Sequence, residues 1–205
     1  MKLQLKTLLT SSFLLLAATQ AATAGSLSSV TIQDVKYAGN ACPGGSAEIV
    51  LAADKQSATV AFDEYIVEAG GPGQRTFVRK KCDIAFGLKV PSGYSVTLLD
   101  ADYRGFVDLP RRAKATFARE YFFAGKRGPK FKETWKGETS DDFFVRDELG
   151  VISYSPCGQD VILRSKTATT VRTRRGNEAM AAVDSIDLAS RTLYRYNFGW
   201  KKCSK

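Results

Sequence analysis

The chain has no histidine. That absence excludes the Ser-His-Asp and Cys-His nucleophile systems, in which imidazole is the base. It also excludes every zinc site with a histidine ligand and leaves only an all-cysteine one. None of the four cysteines falls in a C-x-x-C pair, so no metal and no cofactor is expected. After the first 24 residues no stretch approaches the roughly 18 apolar residues of a membrane span, so no transmembrane segment is expected. No segment holds a 3.6-residue apolar period over any length, and there is no internal repeat, low-complexity tract or long linker.

What is present begins with an export signature. Lys2 and Lys6 precede the apolar run Phe13-Leu14-Leu15-Leu16-Ala17-Ala18, and Ala22-Thr23-Ala24 makes an A-x-A cleavage site before Gly25. Residues 1–24 therefore read as a signal peptide and residues 25–205 as one secreted domain. No cysteine starts the mature chain, so no lipid anchor is expected there, and the destination is the periplasm or the medium. An oxidising destination and an even cysteine count predict two disulfides. Of the three connectivities, Cys42–Cys82 with Cys157–Cys203 ties each half of the chain in loops of comparable length; a crossing pattern is the alternative. Each such bridge is worth about 4 kcal/mol by loop entropy. Removing the signal leaves 28 basic and 21 acidic residues, a net charge of +7. That excess suits anionic partners without choosing among them.

Period-two alternation runs through the mature chain. It is clearest at Cys82, Ile84, Phe86, Leu88 and Val90, which Pro91-Ser92-Gly93 terminates. Val30 and Ile32 open a strand whose phase shifts at Val35 and Tyr37, the mark of a bulge. Further strands are expected around Ile49–Leu51, Val60–Phe62, Tyr94–Tyr103, Ala115–Phe123, Lys130–Lys136, Asp160–Arg174 and Leu193–Trp200, with Gly70–Gly73 as loop. Short helical pieces are expected near Asp147–Leu149 and Asn177–Ala182. The fold class that follows is all-β: an antiparallel β-sandwich, jelly-roll-like and disulfide-stapled.

The cysteines sit in particular settings: Tyr37-Ala38-Gly39-Asn40-Ala41-Cys42-Pro43, Arg79-Lys80-Lys81-Cys82, Ser155-Pro156-Cys157-Gly158 and Trp200-Lys201-Lys202-Cys203. Between them lie Val90-Pro91-Ser92-Gly93-Tyr94, Asp102-Tyr103-Arg104-Gly105 and Asp184-Ser185-Ile186-Asp187. In this order, from about Val30 to Cys203, they resemble a family of small secreted, cysteine-framed proteins of fungi and bacteria, the domain of unknown function 4360. The resemblance implies a single secreted β domain. It brings no activity, cofactor or catalytic residue, and Lys126–Gly150 matches it least.

Four candidate sites remain. Arg164, Lys166, Arg172 and Arg174 share one face if Asp160–Arg174 is one unbroken strand, and Lys130, Lys132 and Lys136 make a second basic row. Such rows bind phosphate or sulfate in a salt-dependent way; the alternative is a solvated face or an edge strand guarded by lysine. Phe131 and Trp135 fall on the opposite, core-facing side. Asp100 and Asp102 share a face and form the acidic alternative, a general acid and base for a polysaccharide hydrolase or lyase, or partners for Arg104. Asp141 and Asp142 point to opposite sides and suit a turn or strand start. Tyr194, Tyr196, Phe198 and Trp200 alternate on one face, which means core before sugar stacking; Tyr154 completes the aromatic group. The expected function is therefore a non-enzymatic exported module that binds an anionic polysaccharide, nucleic acid, envelope surface or protein partner. The bet for a polymer falls on Arg164, Lys166, Arg172 and Arg174.

Overall fold

A computed structural model describes residues 30–53, 57–149, 154–183 and 192–203. The signal segment and Asp184-Ser185-Ile186-Asp187 lie outside the described residues, as does the side chain of Tyr194. The described chain forms strands β1 (Thr31–Ala38), β2 (Ala47–Leu51), β3 (Ser57–Phe62), β4 (Ile66–Ala69), β5 (Phe77–Lys89), β6 (Tyr94–Leu109), β7 (Lys114–Phe123), β8 (Lys130–Lys136), β9 (Thr139–Glu148), β10 (Val161–Arg172), β11 (Ala179–Ala182) and β12 (Thr192–Lys202). All pairings are antiparallel. One sheet has the order β1-β5-β10-β7-β8. The other runs β2-β3-β12-β6, with β6 long enough to carry β11 beyond β12 along one edge and β9 along the other; β4 pairs with β11. The protein is an antiparallel β-sandwich.

Alternation decides which face each strand buries. Cys82, Ile84, Phe86 and Leu88 on β5, Ala115, Phe117, Tyr121 and Phe123 on β7, and Leu163 and Val171 on β10 line the inner face of the first sheet. Phe62, Val60, Tyr103, Val107, Tyr196 and Phe198 face them from the second. Two bulges reset the phase. One lies between Ile32 and Asp34 on β1, where the sequence pattern slips. The other ejects Leu99 from β6, so Val96 and Leu98 point inward before it and Ala101 and Tyr103 after it. Tyr196 and Phe198 are core, while Trp200 reaches the rim and is 38 % exposed.

Three local expectations differ from what is observed. Asp147 lies in β9 and Asn177–Ala182 yields strand β11, not helical turns. Ala, Met and Ala favour helix locally, but ladders to β4 and β6 outweigh that preference. The strand expected to run from Asp160 to Arg174 ends at Arg172, because the chain turns over Arg174–Asn177, where Asn177 donates its amide to Arg174 and its carbonyl accepts the Thr173 hydroxyl.

The disulfides Cys42–Cys82 and Cys157–Cys203 have Cα separations of 5.5 and 6.1 Å. The first is sealed in the core, and Asn40 accepts the amide of Lys81 at 2.6 Å beside it. At Gly39 a Cβ would meet the Lys81 carbonyl oxygen at 2.1 Å with φ at +152°, so the approach requires glycine there. The second lies nearer solvent. Cys203 donates its amide to Gly93 and Gly158 donates to Tyr94, so the turn after β5, the Cys157 segment and the end of β12 meet at one point.

Candidate polyanion-binding face

The outer face of the five-stranded sheet gathers cations from every strand. On β10, Ile162, Arg164, Lys166, Ala168, Thr170 and Arg172 point outward. Register then fixes their neighbours. Arg172 stands opposite Phe77 of β5 and Lys114 of β7, and Lys114 opposite Lys136 of β8. Thr170 is flanked by Arg79 and by Thr116, which pairs with Thr134. Ala168 lies between Lys81 and Ala118, and Ala118 is opposite Lys132. Lys166 lies between Asp83 and Glu120, with Lys130 beyond. Arg164 is opposite Ala85 and Phe122, and Lys36 and Lys89 complete the far side. Against these eleven cations the described face holds Asp34, Asp83 and Glu120.

The sheet thus brings together Arg164, Lys166, Arg172 and the row Lys130, Lys132 and Lys136, with β7 between them. Arg174 is exposed but lies past the end of β10. Sequence reasoning missed Arg79, Lys81, Lys89, Lys114 and Lys36. For Lys36, Lys89 and Lys114 alternation with apolar residues was a signal, but which strands are neighbours was not.

The row Arg172–Lys114–Lys136 sets three like charges directly opposite one another on adjacent strands, with no acid among them. Like charges in that position destabilise a sheet. The described ion pairs on this face are Lys36–Asp34 at 3.4 Å, exposed, and Lys130–Glu120 at 3.7 Å, in which Glu120 is half-buried; both are open to solvent and so worth little. Two rings on the face are capped by cations: Arg172 lies 5.3 Å from the Phe77 ring centre and Lys166 5.1 Å from that of Phe122.

The opposite outer face has the other sign. It carries Glu48, Glu68, Asp100, Asp102, Asp108, Asp142 and Glu148, with Arg104, Arg146 and Lys201 among the described side chains. A domain polarised in this way orients an approaching polyanion toward its basic side.

Asp100 and Asp102 do share this second face, on β6. Arg146 donates to both oxygens of Asp102, at 2.6 and 2.7 Å, and these hydrogen bonds, followed by the carboxylate charge, hold the guanidinium above its usual range. Asp102 is thereby engaged as a counter-ion, with both oxygens taken. Arg104 does not pair with it; its guanidinium and that of Arg146 lie 5.7 and 5.9 Å from the exposed Phe144 ring. Asp141 and Asp142 are exposed near the start of β9. Gly105, in the same motif as Asp102, leaves room for the Phe143 ring, which a Cβ would meet at 2.1 Å.

A second charged cluster is sealed inside. Arg119 on β7 and Asp147 on β9 are 4 % and 2 % exposed and join the two sheets through hydrogen bonds of 2.7 Å each. Arg119 also donates to the Phe117 carbonyl at 2.9 Å and lies 4.9 Å from the Phe117 ring centre. Tyr121 donates to Asp147 at 2.6 Å and bonds Tyr103, while Tyr196 donates to Ser165 at 3.1 Å. Burial works against the charge of Arg119, but Asp147 outweighs it and the pKa rises. Burial also raises Tyr103, Tyr121 and Tyr196 well above the usual tyrosine value. Among the described residues these groups are buried, and they bind sheet to sheet.

The fold and its staples define a disulfide-bonded, two-sheet β domain. The chain belongs to the family described as Domain of unknown function (DUF4360), which matches residues 28–203. A relative from Arthroderma benhamiae, described as an uncharacterized secreted protein, is 31 % identical over 180 residues, covering 85 % of this chain and 72 % of the relative. Among solved structures, TmCBM61 in complex with β-1,4-galactotriose aligns with a TM-score of 0.30 at 11 % identity, over 84 % of this chain and 90 % of that one. A bacteriophage CBA120 tailspike protein 4 domain aligns at 0.27 and 11 % identity; this chain covers 84 % of its own length and 19 % of the tailspike's. Likenesses at that level carry no argument about ligand.

Proposed function

We propose that this protein is an exported, non-enzymatic binding module. Cleavage near Ala24 releases residues 25–205 as a single domain to the periplasm or the medium, and the outer face of its five-stranded sheet holds an anionic polymer. The observation that carries the reading is the excess of eleven cations over three acids on that one face, with Arg172, Lys114 and Lys136 opposed in a row. Arg164, Lys166 and Arg172 belong to the contact surface, and Arg174 extends it at the end of β10. A bound polyanion relieves the repulsion within the cation row and releases its own counter-ions, so affinity falls as salt rises. The secreted relative and the export signature of residues 1–24 support a location outside the cytoplasm.

The test is fluorescence anisotropy of a labelled, densely sulfated glycosaminoglycan with the mature protein at low and high salt. The triple variant Lys114→Gln/Lys136→Gln/Arg172→Gln should lose most of the low-salt affinity. Charge reduction on the other sheet, Arg104→Gln, should leave it unchanged. Equal loss from both variants would mean that net charge, and not this face, governs binding.

A further inference from the structure

The basic face is not uniformly built. At its centre Ala168 and Thr170 of β10 lie beside Ala118 and Thr116 of β7, four short side chains in a square. Longer side chains surround most of it: Arg79 and Lys81 on β5, Lys132 beside Thr134 on β8, Arg172 and Lys114 at one end, and Lys166 with Glu120 at the other. Strand spacing sets the scale. The rim strands β5 and β8 stand about 14 Å apart across three spacings, and Lys166 lies roughly 20 Å along the chain from Arg172. Glu120 is the one acid directly beside this square among the described residues, and Ala168 is 8 % exposed beneath the longer side chains. The result is a shallow basin floored by methyl and hydroxyl groups, with a rim that is mainly positive.

We infer that this basin receives a sugar unit of an acidic polysaccharide, one bearing carboxylate or sulfate groups, with Thr116 and Thr170 as positioning contacts on its floor. The inference rests on the polyanion reading above and narrows it. The floor offers a polyhydroxylated ring what it needs: hydroxyls that donate and accept, and methyl groups against its C–H face. The rim supplies cations for acidic substituents. Nucleic acid fits the same surface less well. Single strands are held by stacking bases on aromatic rings, and the two rings here, Phe77 and Phe122, are each faced by a cation. A duplex read by its bases needs an element that enters a groove, and the middle of this sheet is lower than its surround.

The test measures binding of the mature protein to polygalacturonate, heparin, an uncharged galactan, double- and single-stranded DNA, polyphosphate, and vesicles containing anionic phospholipid, at one ionic strength. Thr116→Trp and Thr170→Trp fill the floor without changing charge. Lys132→Gln and Arg79→Gln weaken the rim at exposed positions where folding is not at issue, and thermal melts report on all four. The acidic polysaccharides should bind about tenfold or more tighter than DNA, polyphosphate or vesicles, and the galactan not at all. Each tryptophan variant should lose about tenfold for acidic polysaccharide and leave DNA binding within about twofold; each rim variant should weaken every polyanion. If DNA, polyphosphate or vesicles bind as tightly as the polysaccharides, or the tryptophan variants bind polysaccharide unchanged, the basin assignment is wrong and the broader polyanion reading stands. Should no polyanion bind at all, both are overturned.

Discussion

Replacing Asp147 with asparagine tests the buried ion pair that joins the two sheets. The substitution keeps volume and shape but removes the only carboxylate hydrogen-bonded to Arg119 among the described contacts, leaving a guanidinium that is 4 % exposed. Breaking a buried pair from one side costs about 3–5 kcal/mol, because the remaining charge stays desolvated. For a chain of this size each kilocalorie moves the melting temperature by roughly 2–4 °C, so a drop of roughly 6–20 °C is expected. The control is Arg119→Met/Asp147→Leu. It removes both charges and leaves Tyr121 bonded to Tyr103 alone, a cost on the order of 1–3 kcal/mol. The double variant should therefore be more stable than Asp147→Asn. Urea unfolding followed by tryptophan fluorescence gives both values. A single variant within about 1 kcal/mol of wild type, or a double variant less stable than the single, would refute the claim that Arg119 depends on Asp147.

Other outcomes follow from the same structure. Tyr103, Tyr121 and Tyr196 have folded pKa values raised by burial, so their contribution is complete below the unfolded tyrosine value of about 10 and is lost as pH rises through the folded values; the slope is about 1.4 kcal/mol per pH unit for each phenol in that window. Melts between pH 8 and 12 should show stability falling from about pH 10, and ionisation of Tyr103, Tyr121 and Tyr196 near pH 10 without unfolding would contradict the burial argument. Cys157 is exposed whereas Cys42 and Cys82 are sealed, so mild reductant should open Cys157–Cys203 first; mass-spectrometric trapping that finds Cys42–Cys82 reduced first would be inconsistent with that burial. Removing Cys42–Cys82 by paired alanine substitution should cost about 4 kcal/mol in urea titration. N-terminal sequencing of secreted material should begin at or near Gly25, and an intact Met1 would contradict export by cleavage.

The parts of the fold that were legible in the sequence are those set by local periodicity. The inward set Cys82, Ile84, Phe86 and Leu88, and the phase slip at the start of β1, could both be read from alternation. The short β11 could not, because Ala179–Ala182 is strand only through its partners β4 and β6. Arg119 gave a usable signal: a charge in an apolar alternation with Phe117 and Tyr121 demands a buried counter-charge. The strand assignment of Asp147 was needed to find it. The candidate site was half legible for the same reason. Arg164, Lys166 and Arg172 lie on one strand and share its outward phase, whereas Arg79, Lys81 and Lys114 join them only through pairings between segments distant in sequence. The pairing of Asp102 with Arg146 is likewise a product of register between β6 and β9.

The salt dependence of polyanion binding tests the assignment of the basic face most directly. Affinity for a densely sulfated polymer, measured across a range of sodium chloride concentrations, reports how many cations the contact uses. If the six basin-rim cations are engaged, log K should fall with log salt at a slope of about −4. In Lys114→Gln/Lys136→Gln/Arg172→Gln, which removes two rim cations and their neighbour, the slope should be nearer about −3. A slope close to zero, or one that the triple variant leaves unchanged, would contradict the assignment.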